Sequence, residues 1–334
     1  MLKLFHSIFG GEQDGRYPEA LIEAAIERTV EGTDRRLQAL PGYKKQLRPS
    51  VIHAIDHVIS LVDAITAPHA AGRADYSADP CLRTVFASAD HMLEVFGSGA
   101  VLNEFRDAST GSDKRVIALL LAEPSEKNIL GVDLVDGQLR HDVAQVAVNF
   151  HGHRLVEPTT NEADTRRQLK RRAFDHLLTL ALTRMTEARH YRADLTRQRD
   201  LQRRKLGTLH RSGCSFEEQQ GAWPEPEVLS AELQAIESEL ESLGADSEVL
   251  QMRLDTVVDV LGHAEQQLWG RELVMHLDRM NIQRDAQHAS AQRIVLQELH
   301  NARGHHLVML LLSLLPGELP TREKFITAAA RYLA

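Results

Sequence analysis

A row of aliphatic residues between positions 229 and 268 constrains the fold of this chain more than any other feature. Twelve positions follow one another in alternating steps of four and three, and ten of them carry a large aliphatic side chain. This spacing keeps one stripe on one side of a helix over about 60 Å and is typical of a coiled-coil seam, so it predicts that a second helix packs along the stripe. The positions are Leu229, Leu233, Ile236, Leu240, Leu243, Ser247, Leu250, Leu254, Val257, Leu261, Ala264 and Leu268.

The preceding segment, residues 162–211, is the natural source of the partner helix. Its own seam is weaker, but its charge is complementary. Residues 184–211 carry nine basic and three acidic side chains, whereas residues 225–248 carry eight acidic and no basic ones. Charges beside a coiled-coil seam select the partner helix and its orientation. We therefore predict an antiparallel hairpin with its tip near residues 212–224, in which residue i faces a residue near 436 minus i.

Residues 1–110 are predicted to form a helical N-terminal region, because helix-period apolar stripes alternate there with Pro and Gly punctuation. Thr321 to Leu333 is expected to be a closing helix at the other end of the chain. The four N-terminal helices are expected after Pro18, around Ile52 to Val62 with Pro49 in the first turn, from about Cys81 to Gly97-Ser98-Gly99, and over residues 101–108.

Short runs rich in β-branched residues replace the helical period after residue 110. With the turn residues between them, they predict an antiparallel meander. Residues 294–299 also resemble a strand, and residues 307–312 fit either a strand or a buried helix. The runs of the meander are 116–121, 129–135 and 143–150, with Leu155-Val156 as a short fourth, divided by Pro124-Ser125, Asp136-Gly137 and His151-Gly152.

The predicted fold class is therefore α+β. It combines a helical N-terminal region and a small antiparallel β-sheet with a long inserted antiparallel coiled-coil hairpin. We assign residues 111–160 and 288–334 to the sheet with its closing helix, and residues 161–287 to the hairpin insertion, because strand patterns stand on both sides of the long helices.

Composition and charge narrow the range of partners and compartments. A formal net charge of −8 gives no overall attraction to nucleic acid or to anionic lipid. The basic arm is expected to be paired within the hairpin, so nucleic acid is not an expected partner. Two cysteines, Cys81 and Cys214, do not make a disulfide framework, which indicates a reducing compartment, the cytoplasm.

No apolar run in the sequence has the length that a membrane-spanning helix requires. Residues 1–9 are expected to form a docking turn that packs on the body of the protein. The alternative for this segment is a small interfacial helix that contacts a membrane surface.

The predicted tip of the hairpin is the first candidate binding site. Cys214, Phe216 and Trp223 lie in a loop bounded by Gly213 and Pro224. Aromatic side chains exposed at the end of a helical arm suit the docking of a protein partner. The alternative is that the two rings close the end of the coiled coil by packing against its last leucines.

A histidine pair on the second helix is the candidate metal site. His53 and His57 are four residues apart with Asp56 between them, and histidines at this spacing can share a metal ion. The glutamate of the zinc-protease motif is missing, so the third ligand has to come from elsewhere. The candidates for that ligand are His69, His91, His151 and His153.

These patterns favour a non-enzymatic protein-interaction or scaffold protein whose projecting coiled-coil hairpin engages a protein partner. Apolar surface left on the hairpin makes a homodimer a further expectation. No phosphate-binding loop, dinucleotide motif, nucleophile elbow or paired-cysteine site occurs, so no cofactor and no catalytic residue are expected. The alternative is a metal-dependent hydrolase with its histidine site on the N-terminal helices.

Overall fold

The computed structural model describes residues 17–98, 115–135, 138–212, 226–243 and 248–319. It confirms an α+β fold with one sheet, whose five long strands are antiparallel. The helices are α1 (Glu19–Gly32), α2 (Tyr43–Asp63), α3 (Arg73–Ala78), α4 (Pro80–Val85), α5 (Ala89–Ser98), α6 (Glu162–Ser212), α7 (Pro226–Ser242), α8 (Val249–Gly262) and α9 (Ala264–Gln267). The strands are β1 (His69–Ala70), β2 (Val116–Val135), β3 (Gln138–Thr159), β4 (Leu268–Leu277), β5 (Gln292–Asn301) and β6 (His306–Leu314).

The chain divides into two compact units. Among the described residues, the sheet unit contains those of Ile55–Phe174 and of 264–319, and the helical unit contains those of 17–54 and of Asp175–His263. This division differs from the expected boundaries in two respects. Strand β4 lies within residues 161–287, which we expected to belong to the hairpin, and helix α1 belongs with the long helices instead of forming part of a separate N-terminal region.

The centre of the sheet is apolar on both faces. The strand order is β3-β2-β6-β5-β4, and residues Val116–Ala122 of β2 pair with Val308–Leu314 of β6. Because side chains alternate along a strand, the even-numbered residues of this part of β2 pack with α4 and α5. Leu119 and Leu121 face the opposite way and pack with Val62 and Leu169. Continuous apolar runs in these strands therefore reflect cover on both sides.

Strands β2 and β3 are longer than the sequence indicated. Pro124-Ser125 and His151-Gly152 were expected to be turns, but both lie within strands. Pro124 pairs with Phe150 of β3 and lies beyond Ala122, the last residue of β2 that pairs with β6. The missing N–H of Pro124 therefore interrupts no pairing on the β6 side. The expected turn Asp136-Gly137 lies outside the described residues.

Three bulges divide the pairing of β2 with β3. The register shifts between Ile117 and Leu119, between Leu121 and Glu123, and between Gly131 and Asp133, and each shift places one extra residue on β3. Each bulge on β3 contains one residue with positive φ, a backbone conformation that marks one common bulge type. These residues are Glu157 (φ 52°), Gly152 (φ 63°) and Asp142 (φ 62°).

The last two strands settle the open choice for residues 307–312, which form strand β6 and not a helix. One edge of β6 serves two partners: His306–Met309 pair with β5, and Leu312 and Ser313 pair with the short parallel strand β1. A short turn over residues 302–304 joins β5 to β6. Gly304 there has φ 80°, which glycine adopts without strain.

The N-terminal helices agree with the sequence only in part. Helix α1 follows Pro18 and buries the predicted stripe. Helix α2 begins at Tyr43, so Pro49 lies inside it and not in its first turn. Pro49 is exposed, so water can reach the carbonyl group left without its helical donor. The fourth expected helix and the closing helix lie outside the described residues.

Two capping residues divide the third expected helix. The Asp79 carboxylate accepts hydrogen bonds from the N–H groups of Cys81 and Leu82 at the start of α4. The Ser88 hydroxyl accepts a hydrogen bond from the N–H of His91 at the start of α5. Both residue types are preferred helix N-caps, so α4 and α5 form as separate short helices.

The start of α6 is fixed to the sheet unit by buried polar contacts. The Thr165 hydroxyl lies 3.0 Å from the Ile117 carbonyl oxygen and 2.7 Å from the Thr159 hydroxyl. The Arg166 guanidinium donates to the carbonyl oxygens of Val62 and Ile65 at the end of α2. These carbonyls lack helical donors, so Arg166 acts as a side-chain cap for that helix end.

The expected single helix from Leu229 to Leu268 is interrupted. Helix α7 ends at Ser242, α8 runs from Val249 to Gly262, and Leu268 begins strand β4. Residues 244–247 lie outside the described residues, and Gly244 is a residue type that commonly follows a helix end. The seam pattern correctly predicted the surface along which the helices pair, but it did not predict where the helix ends.

Asp34 connects two parts of the helical unit. Its carboxylate accepts hydrogen bonds from the N–H of Arg36, at the start of the short 3-10 helix Arg35–Ala39, and from the guanidinium group of Arg253 on α8. Burial opposes the charge of this carboxylate, but the hydrogen bonds from the two arginines outweigh it and lower the pKa of Asp34 to about 2.

We expect Leu120→Ala to destabilise the sheet unit much more than Leu130→Ala, although both residues belong to β2. Leu120 is 1% exposed and Leu130 is 71% exposed. The first change leaves a cavity in the core and should lower the free energy of unfolding by about 2–5 kcal/mol, and the second by less than about 0.5 kcal/mol. Urea unfolding of both variants measures this difference, and equal losses would contradict the difference in burial between these two positions of β2.

A second prediction concerns acid stability. Because the pKa of Asp34 is lowered to about 2 in the folded state, its contribution to stability is present above the ordinary Asp pKa. That contribution is lost as the pH falls from about 4 to about 2. The Asp34→Asn variant should therefore be less stable than the wild type at neutral pH and should lose less stability across this window.

Urea titrations at several pH values test this expectation. Asp255→Asn is the matched control, because the Asp255 carboxylate is exposed and accepts a hydrogen bond from Gln251 on its own helix. If Asp34→Asn and Asp255→Asn follow the same pH dependence, the ion pair of Asp34 with Arg253 does not stabilise the helical unit.

Candidate functional site

The hairpin formed by α6 with α7 and α8 is the candidate interaction surface, and its register agrees with the sequence. Gln202 donates a hydrogen bond to Glu232, and Arg203 donates to Glu237. Nearer the base, the Arg192 guanidinium lies 3.1 Å from the Leu243 carbonyl oxygen. The residue numbers in these three pairs add to 434, 440 and 435, close to the predicted 436. The two arms are therefore antiparallel in the predicted register.

The charged blocks meet across the hairpin at some positions only. Arg203 pairs with Glu237 on α7, whereas Arg184 pairs with Asp259 on α8, which lies outside the acidic block of residues 225–248. Arg197 and Arg199 instead pair with acidic residues of α6 itself. Exposed ion pairs contribute little free energy, so these contacts select the orientation of the arms and do not hold them together alone.

Burial along the seam decreases beyond α8. In α8, Leu254, Val257 and Leu261 are fully buried. In α7, Leu229 is buried, but the next four seam residues are only partly covered. Those four residues are Leu233, Ile236, Leu240 and Leu243. The part of the hairpin made by α6 and α7 therefore retains apolar surface that water reaches.

Two aliphatic residues beside the seam are more exposed still. Leu201 on α6 is 53% exposed and Val228 on α7 is 47% exposed. The seam spacing predicted neither residue as a contact, because neither lies in the seam of its helix. In the sequence, Leu201 and Val228 are recognisable as aliphatic residues that stand next to a predicted seam but do not follow the seam spacing.

The predicted tip residues Cys214, Phe216 and Trp223 lie outside the described residues. The described hairpin ends at Ser212 on one arm and begins again at Pro226 on the other. The interaction surface is therefore defined here by the helical arms, and the tip hypothesis stays a prediction.

In the described part of the chain, His53 and His57 are not joined by further side chains that would complete a metal site. His53 is exposed, and the His57 ring is half-buried with its Nε2 atom 2.7 Å from the Leu268 carbonyl oxygen. A nitrogen in this position donates its proton to the carbonyl and is not free to bind a metal ion. Within the described ranges, no group of three or more His, Cys, Asp or Glu side chains is arranged to hold a metal.

The other candidate histidines have separate surroundings. His69 Nδ1 lies 2.7 Å from the Asp79 carboxylate, and this hydrogen bond raises the pKa of His69. His151 lies beside Glu123. His153 stacks on the Phe86 ring, and burial lowers the pKa of its imidazole. Among these candidate histidines in the described ranges, His91 and His153 are the pair whose rings contact each other, with centroids 5.3 Å apart.

Comparisons with protein-family models, with curated proteins and with solved structures give no match for this chain. None of the helices in the described ranges combines the length and the hydropathy that a bilayer crossing requires. The geometry of the described residues is therefore the basis on which a function can be proposed.

The register of the hairpin can be tested by cross-linking. With both native cysteines replaced by serine, Gln202→Cys and Glu232→Cys together should form a cross-link within one chain with a short bismaleimide, because these side chains are hydrogen-bonded in the structure. Gln202→Cys with Glu248→Cys is the matched control and should not react, since Glu248 lies sixteen residues farther along the sequence, beyond the end of α7. Peptide mapping distinguishes the products, and cross-links that join only different chains would refute the intramolecular hairpin.

Proposed function

We propose that this protein is a non-enzymatic interaction or scaffold protein whose helical hairpin binds a protein partner. The observation that supports this most is the partial cover of the α7 seam, where Leu233, Ile236 and Leu240 lie between buried and exposed. The two helices of this arm leave these aliphatic side chains partly open to water, and a third apolar surface would complete the burial.

The dimensions suit a helical segment of the partner. Residues 226–243 give an arm of about 27 Å at the rise of an α-helix. A partner helix lying along this arm would bury apolar surface that contributes about 25 cal/mol per Å². Leu201 and Val228 add exposed aliphatic surface on the two arms. A second copy of the chain is one partner of this kind.

The proposed compartment is the cytoplasm. Cys81 forms no disulfide, and burial raises the pKa of its thiol to about 11, so the protonated thiol is unreactive at neutral pH. A half-buried free thiol in a chain with only two cysteines is typical of a reducing environment.

Photo-cross-linking in cells tests the proposed function. A benzophenone amino acid in place of Gln234, which is exposed on α7, should form a covalent adduct with one defined protein or with a second copy of the chain. The double variant Leu201→Glu and Val228→Glu should reduce the adduct about tenfold or more, because it introduces unpaired charges where the partner needs apolar surface. Mass spectrometry of the adduct measures both results.

Gln198→Glu with Ser230→Glu is the matched control. Both residues are exposed and polar and lie on the same two helices, so the control adds the same charge without removing apolar surface. A chain that lacks residues 185–256 should form no adduct with the partner when the benzophenone amino acid is placed outside the deleted segment. Equal adduct yields from the test and control variants would rule out apolar docking on the hairpin.

A further inference from the structure

A cavity of about 490 Å³ lies in the sheet unit, lined by residues of α3, α4, α5, β3, β4 and β5. Its volume is within the range of roughly 300–1,000 Å³ that small-molecule sites occupy. Phe86, Phe150 and Ile294 are among the apolar residues that line it. Such walls cover the body of an organic ligand, and the polar groups among them determine which ligand binds.

The Phe86 wall is held by stacked rings. Phe86 is buried and stacks on His153, with ring centroids 5.1 Å apart, and contacts Phe96 edge to face at 5.5 Å. His153 Nε2 lies 2.8 Å from the Val85 carbonyl oxygen. Aromatic side chains packed in this way keep their orientation, so this wall exists before any ligand arrives.

The loop after β4 is equally fixed. The Asp278 carboxylate accepts hydrogen bonds from the N–H groups of Met280 and Ile282 and pairs with Arg284 at 3.0 Å. Asn281 has φ 58°, donates its side-chain N–H to the Thr84 carbonyl oxygen and accepts a hydrogen bond from the N–H of Val148. A left-handed asparagine kept in place by two other elements indicates a preformed wall.

Positive charge is the polar feature of the cavity. Arg83 and Arg279 both line it, and neither has an acidic partner in the described part of the chain. Asp278, the acidic residue of this wall, is already paired with Arg284. The Arg83 guanidinium is partly exposed and donates one hydrogen bond to the side chain of Gln292, which also lines the cavity. A guanidinium group beside a cavity and without an acidic partner is complemented by an anionic ligand.

We propose that this cavity binds a small organic anion, a carboxylate or a phosphate ester on an apolar body. Arg83 binds the anionic group, because a planar guanidinium matches both groups with paired hydrogen bonds. Phe86, Phe150 and Ile294 cover the apolar body. The site lies within the sheet unit, so it is independent of the proposed docking on the hairpin.

Calorimetric titration of the full chain tests the ligand class with four probes. The probes are 2-naphthoate, 2-naphthyl phosphate, the uncharged 2-naphthamide and inorganic phosphate. At least one of the two organic anions should bind with one site per chain, and the other two probes should bind about tenfold more weakly or not at all. The comparison of naphthoate with naphthyl phosphate identifies the preferred anionic group. Absence of binding by both organic anions, or equal binding of naphthamide, would overturn the proposal.

Variants locate the site. Arg83→Gln should weaken binding of the organic anion about tenfold or more, and the control Arg115→Gln should leave it unchanged, because Arg115 is exposed and contacts Ser313 away from the cavity. Asn149→Trp places a bulky ring in the cavity from an exposed position of β3 and should also reduce binding. This variant provides a decision if Arg83→Gln does not fold. Unchanged affinity in Arg83→Gln or in Asn149→Trp would contradict the assignment.

Discussion

The pairing of β2 with β6 is the interaction on which the rest of the sheet unit depends. It joins Val116–Ala122 to Val308–Leu314, segments separated in the sequence by β3, the long helices, β4 and β5, and each strand is apolar on both faces. Neither strand is stable in water alone, because a strand of this composition needs cover on both sides. Because β3 and β4 are strands of this same sheet, the segment between them, which contains the long helices, starts and ends at the sheet. Thr165 and Arg166 fix that start with hydrogen bonds to β2 and to the end of α2.

Features with a long period were predictable from the sequence. The complementary charges of residues 184–211 and 225–248 predicted both the direction and the register of the hairpin, because flanking charges discriminate between alignments over many residues. Residues 294–299 were also correctly predicted to form a strand. Local features were not predicted correctly. Asp79 and Ser88 act as helix caps, which a count of apolar residues does not detect. Pro124 lies in a strand because it stands beside β3 and past the end of the pairing with β6.

The two candidate binding surfaces differ in how much the sequence could indicate. The hairpin surface follows from a repeated pattern, although the exposed residues Leu201 and Val228 lie outside that pattern. The cavity of the sheet unit was not predictable, because its lining comes from six elements and no two neighbouring ones form a motif. Arg83 and Arg279 become a pair of unneutralised charges only when α4 and the loop after β4 line the same cavity.

The bulges of β3 give the β2–β3 ribbon a fixed alignment. Glu157, Gly152 and Asp142 have left-handed backbone conformations at unequal intervals along the strand. Sliding β3 by one residue along β2 would transfer each left-handed position to a neighbour, including the β-branched Val143 or the bulky His141 and His153, and would exchange the buried and exposed faces. All three sites would have to change together. The register of the ribbon is thus fixed at three separate bulges, and each of them disfavours mispaired alignments during folding.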